Sequence, residues 1–466
     1  MDDGLWSPAR RTLTGGLVLT ITLVAFEALA ISTVMPVVAR ELGGLDLYGW
    51  VFSAFLLGNL VGIVAVGGRI DRGGLIGPFL GGLLLFGIGL AIGGASPNMP
   101  ILVAGRLLQG FGAGAIAPTA YVAIGRTLPE HLRARMFATL STAWVLPGVI
   151  GPVIAGRVTE LTSWRFVFLG LIPLIVLSGT LAVAGLRQVP AADHAGAGEH
   201  DAAVASMRRL PRAIVLAFGA ALTLSGLSSP LPVPGLVFVA VGLLLAVPAF
   251  RDLVPAGTLQ ARGSLPAAIL LRGIATFTFF SVDAYISLLL VEWRGLSPSE
   301  AGIALTAGTL TWTAGAWVQA RRVGQYGAAR FVGVGLATVV VGIGAISLVL
   351  FPAVPVIWAV PAFAIAGLGM GLAYAPLTLV VLAEADPASV GAATAGLQLS
   401  DTLGTAVGTG VAGAIVAVAA RSGAAIWVGL AIAFVMAMVV GLGGVAISPR
   451  LRGVRAPSGD GGSPLG

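Results

Sequence analysis

The sequence contains no cysteine and no lysine, and it has only three histidines in 466 residues. Without cysteine the chain can form neither disulfides nor thiolate metal sites, and His131, His194 and His200 are too scattered to indicate a zinc site. Lysine is also the residue that P-loop phosphate sites require. A disulfide-stabilised domain, a zinc protein and an ATP-driven pump of the usual type are therefore unsupported.

Charged residues are scarce as well. Only 10% of the residues are charged, whereas soluble domains carry about 25%. Hydrophobic residues make up 57% of the chain, and the mean hydropathy is +1.00. A soluble protein of this composition would need a very large core and almost no surface. The composition therefore predicts an all-α, polytopic membrane protein.

Apolar segments long enough to cross the ~30 Å hydrocarbon core as helices occur about fourteen times. The first covers 12–38 and the last 424–447. The first segment is too long for a signal peptide and contains Glu27, so it is interpreted as a retained helix. The central pair, 212–229 and 233–250, is the least distinct because only SSPLPVPG separates its members.

All 26 basic residues are arginines, and most of them fall in alternate loops. This is the positive-inside pattern, so the formal net charge of +7 indicates orientation and not a nucleic-acid partner. We expect a multi-pass protein of the cell (inner or plasma) membrane with both termini in the cytoplasm.

The two ends of the chain resemble each other. FEA at 26–28 is matched by VDA at 282–284, and GFGAGAIAPTAYVAI at 110–124 by GLGMGLAYAPLTLVVL at 367–382. The repeat predicts two pseudo-symmetric six-helix bundles with two inserted central helices. The expected domains are an N-terminal bundle at 1–187, a cytoplasmic linker with two extra helices at 188–264, a C-terminal bundle at 265–447 and a disordered cytoplasmic tail at 448–466.

Five ionisable residues lie inside predicted spans, where a charge costs roughly 2.5–3.5 kcal/mol on insertion scales: Glu27, Arg106, Arg272, Asp283 and Asp401. Burial disfavours the charged form of a carboxyl, so Glu27 could bind and release a proton; a purely structural ion pair with Arg106 is the alternative. Asp283 occupies the equivalent position in the second half. Arg272 is interpreted as an interfacial arginine. For Asp401, close helix packing is favoured and a place in a cavity is the alternative.

Several motifs now resemble those of the major facilitator superfamily, specifically its fourteen-span drug/proton antiporter branch. The loop GGRIDRGG resembles the superfamily's inner gating loop, matching it at Gly67, Asp71, Arg72 and Gly74. The basic pair that usually follows is replaced by Leu75 and Ile76.

Three helix motifs carry the same resemblance. GRLLQGFGAGA, with Arg106 and Gln109, resembles the membrane arginine motif implicated in proton transfer. GVIGPVIAG resembles the antiporter signature at Gly148, Gly151, Pro152 and Gly156. Glu27 stands nine residues before Pro36, as the acidic residue does in the fourteen-span signature, although the family usually has Asp there.

The resemblance implies a proton-coupled exporter of small amphipathic or cationic compounds that works by alternating access. It also implies that the protein is a monomer and not an enzyme. Its partners would be a small-molecule substrate, protons and the lipid bilayer, and it would need no cofactor beyond the proton gradient. Glu27, Arg106 and Asp283 would couple the proton. The expected substrate cavity comprises Gln109, Trp144, Tyr285, Trp312, Tyr374 and Asp401. Packing or interfacial roles are the alternative for its aromatic residues.

Two other functions remain open from the sequence. Uptake of a small metabolite by proton symport would use the same fold and the same carboxylates, although the proline-containing fifth span favours antiport. A non-transporting membrane accessory or scaffold protein would not need several buried titratable groups.

Overall fold

The computed structural model describes residues 4–8, 10–187, 197–386 and 389–451, with side chains described except at 68–73, 130, 134, 138, 141 and 197–208. Every regular element in these ranges is helical, which confirms the predicted all-α class. The helices are α1 Arg11–Leu42, α2 Tyr48–Gly73, α3 Ile76–Gly94, α4 Met99–Thr127, α5 Glu130–Leu161, α6 Arg165–Leu169, α7 Leu171–Arg187, α8 Ala197–Leu227, α9 Pro232–Leu253, α10 Ser264–Leu288, α11 Pro298–Tyr326, α12 Ala328–Ser347, α13 Ala359–Glu384, α14 Val390–Arg421 and α15 Ile426–Ile447. Short 3-10 turns lie at Leu45–Leu47, Thr258–Gln260, Leu348–Leu350, Val356–Trp358 and Ser448–Arg450, and a π-helical turn at Leu289–Trp293 extends α10.

Thirteen helical segments in the described chain are long and apolar enough to cross a membrane. The short α6 and α7 together form one of them, Arg165–Arg187. Helix α11 is not among the thirteen, but with 29 residues it is long enough to cross. Its lower hydropathy comes from polar residues such as Gln319, Arg321 and Arg322. The chain is thus a multi-pass membrane protein with thirteen or fourteen spans, as the composition predicted.

The same neighbour relations occur in both halves of the chain. In the first half, α4 packs against α2 and α3, while α1 packs against α5 and α7. In the second half, α13 packs against α11 and α12, while α10 packs against α14 and α15. The two halves therefore use equivalent helices for equivalent contacts, which is the arrangement that the internal repeat favours.

Close helix approach depends on small residues at the crossing points. A Cβ at Gly110 would lie 1.9 Å from the carbonyl oxygen of Phe55, so no larger residue fits where α4 crosses α2. The central helices α8 and α9 also pack on each other, and α8 packs against α2. Arg212 and Asp252 form an ion pair between α8 and α9 at 2.9 Å.

The region around the central pair differs from the prediction at one place. The sequence predicts a cytoplasmic linker before the two extra helices of 188–264, but α8 begins at Ala197, so the part from 197 onward is helical. Alanine-rich sequence favours a helix, and this stretch continues directly into an apolar span that packs against its neighbours. Residues 188–196 lie outside the described chain, as do 452–466, which include most of the predicted disordered tail.

Candidate functional site

The buried centre of the first half is an ion pair between Glu27 of α1 and Arg106 of α4. Arg106 Nη1 donates to Glu27 Oε1, and both side chains are almost fully buried. The same Nη1 donates to Gln109 Oε1 at 2.9 Å, and Arg106 Nε donates to the carbonyl oxygen of Val51 at 3.1 Å. The guanidinium also lies 4.3 Å from the ring centroid of Phe55. Three helices thus meet at one arginine.

Only one of the two oxygens of the Glu27 carboxylate has a hydrogen-bond partner among the described residues. Its Oε2 is buried without a hydrogen-bond partner, and so is Nε2 of Gln109, among the described residues. An unpaired buried oxygen of a carboxylate is costly, and a proton or a ligand donor would remove that cost. The geometry can therefore hold a proton on Glu27 or a hydrogen-bond donor from a ligand.

A second buried ion pair lies in the other half. Arg272 Nε of α10 is 3.3 Å from Asp401 Oδ1 of α14, and Tyr374 of α13 donates its hydroxyl to Asp401 Oδ2 at 3.1 Å. Arg272 also donates from Nη1 to the carbonyl oxygen of Tyr374 at 2.5 Å and from Nη2 to Thr378 Oγ1 at 3.2 Å. Its guanidinium lies 3.3 Å from the ring centroid of Tyr374.

The interpretation of Arg272 as an interfacial arginine is wrong. Its side chain is buried and is held by α13 and α14, so it does not extend toward the membrane surface. Its partner Asp401 lies on another helix, far away along the chain. Small residues next to Asp401 do allow close packing: a Cβ at Gly404 would lie 2.3 Å from the carbonyl oxygen of Gly273.

Asp283, the sequence counterpart of Glu27, has a different environment. It is partly buried, and among the described residues no hydrogen bond or ion pair to it is present. Arg272 lies three turns earlier on the same helix and is engaged elsewhere. Among the residues that the structure describes, no hydrogen bond or ion pair thus joins Asp283 to Glu27 or Arg106.

The candidate cavity residues fall into separate places. Trp144 on α5 is 46% exposed, whereas Trp312 and Tyr374 are partly buried and pack against each other with their ring centroids 5.4 Å apart. Tyr285 has no exposed surface; it donates its hydroxyl to the carbonyl oxygen of Thr409 at 2.8 Å and packs against Tyr48. Tyr285 is thus a packing residue in this conformation.

Helices of the two halves meet closely near one end of the molecule. A Cβ at Gly156 of α5 would lie 2.5 Å from backbone atoms of Ser299 in α11, and a Cβ at Gly148 would lie 2.3 Å from Thr309 Cγ2. Between them Thr306 donates to the carbonyl oxygen of Val149 at 3.0 Å. The glycines of GVIGPVIAG therefore lie where α5 meets α11, with Pro152 against Gly302 and Gly151 facing Phe26.

Polar contacts between the halves surround the same end. Glu160 Oε1 accepts the backbone N–H of Ser299 at 2.9 Å, at the N-terminus of α11. Ser53 of α2 donates to the carbonyl oxygen of Ala406 in α14 at 2.8 Å. Two ion pairs belong to the same end: Arg40 with Glu292 at 2.6 Å and Arg421 with Asp46 at 3.5 Å. We call this set, together with the α5–α11 contact, the closed end.

Sequence reasoning missed Glu160 and Ser53. The periodicity of the sequence does not predict that a carboxylate in the last turn of one helix will bind a residue in the other half of the chain. One related signal was readable: the SPSE segment at 297–300 forms a capping box, in which Ser297 and Glu300 satisfy each other's backbone donors. That motif fixes the N-terminus of α11 to which Glu160 binds.

The gating-loop motif lies at the other end of α2. The helix ends at Gly73, and Gly74 follows with a φ of +83°, a left-handed conformation that favours glycine. The side chains of Asp71 and Arg72 lie outside the described part of the chain. Among the described residues, no group of three or more His, Cys, Asp or Glu side chains could hold a metal ion.

Known proteins resemble this chain over nearly its whole length. A probable multidrug-efflux transporter of Mycobacterium tuberculosis is 32% identical over 446 residues, which cover 92% of each chain. Multidrug resistance protein 3 of Bacillus subtilis is 31% identical over 163 residues, covering 35% of this chain and 32% of that protein.

Solved structures share the fold. The crystal structure of a bacterial homologue of the human lysosomal transporter Spinster, in an inward-facing and unoccupied conformation, superposes with a TM-score of 0.68 and 16% identity, covering 95% of this chain and 96% of that one. A peptide transporter of the POT type in complex with sulfate gives a TM-score of 0.65 and 17% identity, covering 94% of each chain. The family model of the Major Facilitator Superfamily matches residues 17–280. Together with the full-length relatives, this match shows that the chain belongs to the Major Facilitator Superfamily.

Proposed function

We propose that this protein is a proton-coupled secondary transporter that exports small amphipathic or cationic compounds. The observation that carries the proposal is the buried Glu27–Arg106 pair, whose carboxylate retains an unpaired oxygen. The names of the relatives, a probable multidrug-efflux transporter and a multidrug resistance protein, support export of drug-like substrates. The carrier is a monomer and not an enzyme, and the proton gradient is its only energy source.

Orientation follows from the arginine distribution. Both termini lie in the cytoplasm and the protein resides in the plasma membrane, so the closed end faces outward. The conformation is then open toward the cytoplasm. The two six-helix bundles, 1–187 and 265–447, rock against each other, and the pair α8 and α9 remains an insertion between them.

Glu27 carries the coupled proton in this mechanism. Arg106 stabilises the charged carboxylate while it is bound, and movement of α1 relative to α4 weakens that interaction so that the carboxyl accepts a proton. A cationic substrate competes with the proton for the same charge. Trp144, which is exposed beside the α5–α11 contact, and the partly buried Trp312 can bind a flat cation by cation–π contact. The ring of Tyr374 is already engaged by the guanidinium of Arg272.

The test uses inside-out vesicles with an acidic interior. Addition of ethidium, an amphipathic cation, should raise the internal pH if substrate enters as protons leave. Glu27→Gln keeps the size of the side chain and removes its charge change, so it should abolish this proton efflux. Glu384→Gln, at an exposed residue at the end of α13, is the matched control and should behave as wild type.

The outcomes separate the alternatives. Proton and substrate movement in the same direction would indicate uptake by symport. No substrate-linked proton movement with any of a broad set of compounds would favour a non-transporting scaffold. Normal coupling in Glu27→Gln would contradict the role of Glu27 and leave Asp283 as the remaining carboxylate of the proposed set.

A further inference from the structure

Arg272, Asp401 and Tyr374 form a buried polar cluster that the proposed mechanism does not use. They come from α10, α14 and α13, so three helices of the second half meet there. Only 14% of the Asp401 side chain is exposed, and 6% of that of Arg272. A buried carboxylate that a mechanism does not need is expensive to retain inside a membrane span. The cluster therefore calls for a function of its own.

Asp401 is held more loosely than Arg272. The Arg272 Nε–Asp401 Oδ1 pair lies at 3.3 Å, but neither atom makes a hydrogen bond of good geometry, and both are buried. The remaining donors of Arg272 go to α13, to the carbonyl oxygen of Tyr374 and to Thr378, and its guanidinium lies on the Tyr374 ring. Arg272 would thus keep these α13 partners if Asp401 became neutral.

The charged and titratable side chains that face Asp401 are few in the described part of the chain. They are Arg272 from α10 and Tyr374 from α13. The next titratable side chain near Tyr374 is Tyr121 of α4, which belongs to the other half. A proton arriving at Asp401 therefore changes one ion pair and one tyrosine hydrogen bond.

We propose that Asp401 is a second proton-binding site, separate from Glu27. The proton adds to the carboxylate oxygen Oδ1, the carboxyl becomes neutral, and its attraction to Arg272 is lost while Arg272 stays bound to α13. Protonation thus weakens one of the links that hold α14 to α10, whereas the hydroxyl of Tyr374 still donates to Oδ2 and that of Thr276 to the carbonyl oxygen of Asp401. The proposal stands whether or not Glu27 carries a proton.

Helix α14 connects this site to the closed end. Two turns beyond Asp401, the carbonyl oxygen of Thr409 accepts the hydroxyl of Tyr285, and Ala406 accepts from Ser53 of α2. Release of α14 from Arg272 therefore loosens the helix that carries contacts between the halves. In this way a proton in the second half biases the conformational change.

The test is a pH titration of the purified full-length protein in lipid nanodiscs, followed by infrared difference spectroscopy of the carboxylic acid C=O band. Acidification should produce a component of this band that is lost in Asp401→Asn and retained in Glu27→Gln and Asp283→Asn. A band that is unchanged in Asp401→Asn would overturn the proposal.

A milder variant, Tyr374→Phe, provides a second test in case Asp401→Asn does not fold. Tyr374→Phe keeps the ring against Arg272 and removes only the hydroxyl that Asp401 accepts. It should shift the frequency of the Asp401 component without abolishing it, whereas an unshifted component would contradict the assignment. In vesicles, Asp401→Asn should lower the number of protons moved per substrate by one. Loss of coupling in Glu27→Gln alone tests the proposed function and leaves the infrared assignment untouched.

Discussion

Substitution of Gly156 by alanine should open the closed end. The added Cβ would lie 2.5 Å from Cα and N of Ser299 and 2.8 Å from the carbonyl carbon of Pro298, all backbone atoms that cannot rotate away. Overpacking of this kind costs about 1–3 kcal/mol. Separation of α5 and α11 avoids that cost, so the closed conformation should lose about 5- to 150-fold in population relative to the open one.

The absence of native cysteine makes the assay direct, because spin labels attach only at introduced sites. Leu161→Cys on α5 and Ile303→Cys on α11 are suitable because these residues are 79% and 50% exposed. Electron–electron resonance should report a longer label-to-label distance in Gly156→Ala than in the parent. The matched control is Gly125→Ala, where an added Cβ meets nothing within 4 Å. An unchanged distance distribution in Gly156→Ala would refute the reasoning.

Two further predictions concern Arg106 and Glu160. Arg106→Leu should destabilise the protein by about 3–5 kcal/mol, because it leaves Glu27 as an uncompensated buried charge. The double variant Glu27→Leu/Arg106→Leu should recover most of the thermal stability without recovering coupled transport. Equal destabilisation of the single and double variants would contradict this prediction. Glu160→Gln should weaken the closed end by about 1 kcal/mol, because the glutamine oxygen still accepts from Ser299 but a charged acceptor at the N-terminus of α11 becomes neutral. The same spin-label pair would detect that change, with Glu384→Gln, at an exposed residue of α13, as the control. A distance distribution identical to the parent would count against the role of Glu160.

Much of the fold could be predicted from the sequence because membrane spans are read locally. A run of about twenty apolar residues suffices to predict a helix, and the internal repeat predicts the order of equivalent helices. The onset of α8 at Ala197 was missed because its polar, alanine-rich composition is shared by flexible linkers and by helices. Only the apolar continuation of the same helix decides between them.

Only part of the candidate site could be predicted from the sequence. Glu27 and Arg106 could be paired in advance, because both stand in recognisable motifs and no other charges lie in their helices' centres. Arg272 and Asp401 could not, because their pairing depends on how α10 crosses α14 and no sequence pattern specifies that crossing. Glu160 and Ser53 depend in addition on which end of the molecule is closed. A conformational state is a property of the packed helices and not of any one segment.

The pseudo-symmetry of the two halves extends to packing but not to buried charge. In the alignment of α4 with α13, the position equivalent to Arg106 is occupied by Phe363, which stacks on Phe279 with ring centroids 5.4 Å apart. Asp283 therefore has no arginine where Glu27 has one, and the second half places its arginine on α10 and pairs it with α14. A buried carboxylate needs a partner or a proton, and the two halves provide that partner on different helices. This asymmetry favours two separate proton sites, at Glu27 and Asp401.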